Sequence, residues 1–82
     1  MKDTMGQQEW LNIFGDNLAS ILEEERMSQR ELARLTGLNE STISRYINKL
    51  QMPTVRAIIN ISFALEWQFE DMLNYGAMLE DI

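Results

Sequence analysis

At 82 residues the chain has room for one domain and a marginal core, and its 45% hydrophobic residues are enough to build one. It contains neither cysteine nor histidine, which excludes disulfide frameworks, thiolate chemistry and any zinc site not made of carboxylates alone. The N-terminus lacks the apolar stretch of a secretory signal, and no apolar run approaches the roughly 20 residues of a membrane span, so the chain reads as soluble and cytoplasmic.

Net charge is −6, which taken whole speaks against a nucleic-acid partner. Its distribution speaks the other way. Between Arg26 and Arg56 stand six basic residues (Arg26, Arg30, Arg34, Arg45, Lys49, Arg56) against two acids, Glu31 and Glu40, while the rest sets Lys2 against eleven acids. A polyanion is attracted to the middle of such a chain and repelled by its ends. Ordinary solvated helix faces would give the same counts, so charge alone leaves both readings open.

There are no repeats, low-complexity tracts or Pro/Gly-rich linkers, and residues 1–8 read as a flexible N-terminal segment. From about Trp10 to Glu25, Leu11, Phe14, Leu18, Ile21 and Leu22 recur in steps of three and four, the spacing of one buried helix face. Glu23, Glu24 and Glu25 then crowd the C-terminal end, where the helix dipole disfavours acids, and the helix is predicted to stop there. Ser28-Gln29-Arg30-Glu31 has the capping-box pattern of a second helix, which Leu32, Ala33 and Leu35 continue and Gly37 ends as a left-handed residue. Asn39 is placed to cap a third helix, with Glu40 in its first turn and Ile43, Tyr46 and Ile47 as its inward stripe.

After a connection closed by Pro53, Thr54 caps a fourth helix whose Val55, Ile58, Ile59, Ile61, Ala64 and Leu65 suffice to bury most of its circumference. Trp67 and Phe69 follow in a short link, Glu70 to Leu73 suggests one further short helix, and Met78, Leu79 and Ile82 stand at helical spacing in the tail. Nothing alternates with a period of two for long enough to suggest a sheet. The prediction is all-α: a compact bundle of five short helices, with a domain over 9–73 and a tail over 74–82 available for a dimer contact.

Two short helices joined by a tight glycine turn carry the functional signal. Ser28 to Asn48 reads SQRELARLTGLNESTISRYIN. A second helix crossing the first at a steep angle needs a small residue at the contact and a glycine at the turn, which Ala33 and Gly37 supply, while Leu38 and Ile43 plug the space between. One face of the third helix is then left open to solvent, on an element of the right width for the DNA major groove.

These residues resemble the phage-repressor helix-turn-helix family (lambda repressor, Cro and XRE-like relatives). The matching stretches are Ser28-Gln29 with Glu31-Leu32-Ala33, Thr36-Gly37-Leu38, Ser41-Thr42-Ile43-Ser44-Arg45-Tyr46 and Pro53-Thr54, and the similarity runs from about Leu18 to Leu73. The resemblance implies a dimeric, sequence-specific DNA-binding transcriptional regulator without a cofactor, with the third helix in the major groove. It makes Glu40, Ser41, Ser44 and Arg45 the base-contact candidates, Arg45 facing a guanine edge and Glu40 a cytosine amine. It makes Gln29, Asn39, Thr42, Asn48 and Lys49 the backbone-contact candidates, Gln29 through its amide and the positive helix end. Each has a plain structural alternative: Ser41 covering a phosphate only, Glu40 favouring the helix N-terminus, Thr42 half-buried. Tyr46 reads as a core aromatic with its hydroxyl outward, and Arg30 and Arg34 as facing water.

Three features depart from the family pattern. Many relatives have glycine after the third helix, where this chain has Lys49; either Lys49 takes a strained backbone, or Asn48 takes the left-handed role. Many bury an arginine of the first helix against an acid near the end of the third, where this chain has Leu22 and Ile47; both partners are apolar together, so a hydrophobic contact is expected in place of the ion pair. These 82 residues also leave no room for a ligand-sensing domain; if they are the whole protein, regulation is expected through concentration, a partner or the tail, and if they are a fragment the rest is not inferred. The apolar residues Trp67, Phe69, Met72, Leu73, Met78, Leu79 and Ile82 make the C-terminal region the expected dimer surface, although Phe69 also suits the core.

The acidic ends keep a second function class open, a protein-interaction module such as an antitoxin, anti-repressor or adaptor with weak or no DNA binding. Enzymatic chemistry is disfavoured, because Glu23–Glu25 reads as a solvated helix end rather than an acid/base pair.

Overall fold

The structure, a computed structural model, describes residues 6–66. Four helices lie among them: α1 (Gln7–Glu25), α2 (Gln29–Thr36), α3 (Glu40–Ile47) and α4 (Val55–Leu65), and no residue of this span is in a strand. The all-α helix-turn-helix architecture is as expected. Of the five helices predicted, four fall within the described span; the fifth, over Glu70–Leu73, lies outside it, as do Trp67, Phe69 and the tail. No helix of the described residues is long and apolar enough to cross a membrane.

α1 begins at Gln7, three residues ahead of the predicted Trp10. Gly6 takes an extended backbone at its N-cap, its carbonyl accepts the Trp10 N–H at 2.9 Å, and the Gln8 amide donates to Asn12 at 2.9 Å, so the first turn is closed by polar residues that hydrophobic periodicity does not register. The predicted face of Leu11, Phe14, Leu18, Ile21 and Leu22 is buried in full. Trp10 stacks on Phe14 with centroids 5.0 Å apart, and Phe14 meets Tyr46 edge-on at 6.2 Å, an aromatic run that ties α1 to α3.

α1 stops because Arg26 turns left-handed, with φ 57°. The Arg26 N–H then donates to Glu23 O at 3.1 Å and the Met27 N–H to Leu22 O at 2.9 Å, the paired bonds of a Schellman closure in which glycine is the usual residue. Leu32, Ala33, Ile43, Tyr46, Ala57, Ile61 and Leu65 complete the core, with Leu38, Met27, Ile47 and Ile58 packed against it. Leu22 lies in this apolar core and Ile47 packs against it, as expected of two apolar residues at these positions.

α4 corrects the sequence reading. It buries Ala57, Ile61 and Leu65, one stripe at every fourth residue, yet Val55 is 73% exposed, Ile59 47% and Phe63 77%. The reason is geometric: among the described helices α4 packs chiefly against α2, and a helix packed on one side buries one face, whatever its composition. Thr54 caps it as predicted, its hydroxyl accepting the Ala57 N–H at 3.0 Å.

Candidate nucleic-acid interface

The turn between α2 and α3 is built from three hydrogen bonds and one left-handed residue. Gly37, at φ 77°, donates its N–H to Ala33 O at 2.9 Å and ends α2. The buried Thr36 hydroxyl donates to Leu32 O at 2.8 Å and accepts the Leu38 N–H at 3.3 Å, so it bridges the end of one helix and the start of the turn. Only half of the predicted capping box forms at the other end of α2. The Ser28 hydroxyl accepts the Glu31 N–H at 3.0 Å, but the Glu31 carboxylate turns to Arg34, whose guanidinium holds it below the usual carboxylate range.

α3 buries Ile43 and Tyr46 against α1 and α2. Burial pushes the Tyr46 phenol above its ordinary value. On the opposite side Ser41, Ser44, Arg45 and Asn48 recur at three- and four-residue steps and form one outward stripe, with Ser41, Arg45 and Asn48 exposed and Ser44 half-buried. Asn48 donates its amide to Ser44 O at 2.9 Å and to the Ser44 hydroxyl at 3.2 Å. Arg45 donates Nε–H to the side-chain carbonyl of Gln51 at 2.8 Å and reaches the Thr42 hydroxyl from Nη2 at 3.5 Å.

The end of α3 decides between the two backbone alternatives. Lys49 takes the left-handed role, at φ 64°, while Asn48 stays at φ −85°. Lys49 N–H donates to Tyr46 O at 3.1 Å and Leu50 N–H to Arg45 O at 2.8 Å, the same Schellman closure that ends α1. The Lys49 ammonium pairs with Asp16 of α1, and beside it Gly15 lets α1 come close: a Cβ there would lie 2.7 Å from Tyr46 O and 3.1 Å from Lys49 Cγ.

A turn fixed by hydrogen bonds, a short helix braced on two others and a polar outward stripe containing an arginine are the parts of a groove-reading element. Residues 17–77 match the Cro/C1-type HTH DNA-binding domain. The chain belongs to that family. It is a DNA-binding regulator of the phage-repressor kind, as the residues of α2 and α3 led us to expect. No curated protein sequence matches the chain.

Solved structures share the Cro/C1-type fold at low identity. The restriction-modification controller protein C.AhdI from Aeromonas hydrophila is 24% identical with a TM-score of 0.73, over 76% of this chain and 94% of that one. An HTH_3 family transcriptional regulator from Vibrio cholerae is 17% identical with a TM-score of 0.80, over 87% of this chain but 39% of that one. The hypothetical transcription factor NHTF from Neisseria is 22% identical with a TM-score of 0.75, over 89% of this chain and 84% of that one.

Within this Cro/C1-type domain, the predicted site residues fall into three groups. Asn48 with Ser44 and Arg45 with Thr42 form two hydrogen-bonded pairs on and beside the outward stripe of α3. Glu40, Ser41 and Asn39 stand at the exposed start of α3; Asn39 occupies the N-cap with its carbonyl accepting the Thr42 and Ile43 N–H groups, but its side chain makes no capping bond. Gln29 opens α2, half-buried, and Lys49 is engaged by Asp16. Two residues went unread in the sequence, Gln51 and Asp16. Gln51 sits beyond the helix end and is brought back by the closure at Lys49; Asp16 is 33 positions from its partner, and no local pattern links them.

Proposed function

We propose that this domain reads specific sequences of duplex DNA as a two-fold dimer, laying α3 in the major groove. The observation that carries the reading is the outward stripe of Ser41, Ser44, Arg45 and Asn48 on a helix whose other side is locked into the core. Arg45 is the principal base reader, toward a guanine edge, with Glu40, Ser41 and Ser44 around it. Gln29 at the start of α2, with Asn39, Thr42, Asn48 and Lys49, contacts phosphates. A monomer of this size makes few contacts, so half-sites about one helical turn apart are expected.

The exposed stripe of Val55, Ile59 and Phe63 on α4 supports a second copy as the partner, beside the apolar C-terminal residues Trp67, Met72 and Leu73 that the sequence offers for the same purpose. A cytoplasmic location beside the nucleoid, a fifth short helix over 70–73 and the absence of enzymatic activity go with this reading. The test is selection from a randomised duplex library at about 50 mM salt, where phosphate contacts are strong, comparing the chain with Arg45→Ala. A two-fold-symmetric site that loses one defined base preference in Arg45→Ala is expected. No enrichment at any concentration would favour the protein-interaction module instead. Sedimentation of Phe63→Glu against the parent chain checks the dimer, which the added charge should dissociate.

A further inference from the structure

We propose that Gln51 is a positioning residue for base recognition, fixing Arg45 so that its guanidinium meets a guanine through Nη1 and Nη2 and not through Nε. The proposal rests on the reading of α3 as the groove helix and assigns the geometry of its principal contact. An arginine carries five N–H donors in one plane and offers bidentate partners two different edges, the side edge of Nε and Nη2 or the end edge of Nη1 and Nη2. Here the side edge is taken by the protein itself. Nε–H donates to Gln51 Oε1 at 2.8 Å, and the longer contact to Thr42 Oγ1, 3.5 Å, also leaves from Nη2. The end edge is the pair that remains for the O6 and N7 acceptors of a guanine.

The backbone brings this about. Lys49 in the left-handed region, with Leu50 N–H bonded to Arg45 O at 2.8 Å, reverses the chain, so that Gln51 returns alongside a residue six positions earlier. Both side chains are exposed, so the bond stabilises the fold little and acts on Arg45 itself. A long side chain held in one rotamer before binding loses less freedom on contact, and the wrong base then has no alternative arginine geometry to recruit.

The test compares the intact chain with Gln51→Met, which keeps the bulk and removes the acceptor, and Gln51→Glu, which restores an acceptor. NMR exchange of the Arg45 Nε–H with water reads the bond without DNA; exchange should quicken in Gln51→Met and stay slow in Gln51→Glu. In competition binding to the selected site and its single-base variants, Gln51→Met should lose about 3- to 10-fold of the preference for guanine at the Arg45 position, part of the discrimination one bidentate pair supplies. Gln51→Glu should keep that preference while binding all sequences more weakly, because its charge opposes phosphates. Unchanged Nε–H exchange, or an unchanged guanine preference, in Gln51→Met overturns the proposal. Retention of the parent preference in Arg45→Ala overturns the reading of α3 itself, and the proposal with it.

Discussion

Replacing Gly15 by alanine tests how closely α1 approaches the end of α3. A Cβ at this position would lie 2.7 Å from Tyr46 O, 3.0 Å from Ile47 O and 3.1 Å from Lys49 Cγ. Carbon–oxygen contacts settle at about 3.3–3.6 Å, so the nearest is short by about 0.6 Å or more against the 2.7 Å observed. The two nearest atoms are backbone carbonyls, which no rotamer change can move, and relief requires α1 to shift bodily off α3. Overpacking costs about 1–3 kcal/mol, and a clash with two fixed carbonyls belongs at the upper end, about 2–3 kcal/mol, since the shift also loosens the Phe14–Tyr46 contact. Against it stands the helix propensity of alanine over glycine, about 1 kcal/mol at an uncrowded helix interior. The net expectation is a loss of about 1–2 kcal/mol, or a fall in Tm of about 4–15 °C for a domain of this size. Urea unfolding followed by circular dichroism measures it. A Gly15→Ala chain as stable as the parent, or more so, would mean that propensity acts unopposed and that the approach is looser than the structure has it.

Lys49→Gly should be more stable than Lys49→Ala by about 1 kcal/mol in the same unfolding assay, since both lose the Asp16 pair and only glycine relieves the left-handed backbone; equal stabilities would contradict φ 64°. Thr36→Val strands the Leu38 N–H in a half-buried turn and should cost about 1–3 kcal/mol, whereas a neutral result would remove the hydroxyl from the account of that turn. Asp16→Asn releases Lys49 toward a phosphate, so DNA affinity should rise and the salt dependence steepen by about 0.9 per subunit in log–log slope; an unchanged slope would take Lys49 off the interface. The raised Tyr46 pKa makes stability fall at high pH. Below the ordinary phenol value of 10.0 the contribution is whole, and as pH rises toward the folded value the unfolded chain ionises first and is favoured. Tyr46→Phe should lose that alkaline decline, and a parallel decline in both chains would assign it to other groups.

What was legible in the sequence were the features written in local spacing. The buried face of α1, the Ser28 and Thr54 caps and the Gly37 turn each depend on residues within four positions of one another, and each stands as read. The inward stripe of α3 was legible in the same way, whereas Glu40, Ser41, Ser44 and Arg45 on its open face were named through the family resemblance and not through spacing. What escaped depends on neighbours distant in the chain. The apolar composition of α4 gave no sign that α2 would cover only one of its faces. The capping box is the local exception: its second half fails because Arg34, three positions along the same helix, competes for Glu31. Lys49 could be narrowed to two backbone choices but not resolved, because the choice is settled by closure onto Tyr46 and Arg45 and by the fit against Gly15.

That dependence joins the outward stripe of α3 to α1, the helix packed behind it. Gly15 admits the carbonyls of Tyr46 and Ile47 and the stem of Lys49; Lys49, held there by Asp16, turns the chain; and the turn delivers Gln51 to Arg45. Two of the six cations in the central segment, Arg34 and Lys49, already face carboxylates within the chain, so a third of its positive charge is compensated within the fold of a chain whose total is −6. Non-specific attraction, which scales with the number of phosphates neutralised, is correspondingly reduced. On the proposed reading, selectivity comes from the geometry of a few side chains rather than from charge, and an arginine fixed on one edge by a neighbour carries more of it than a mobile one.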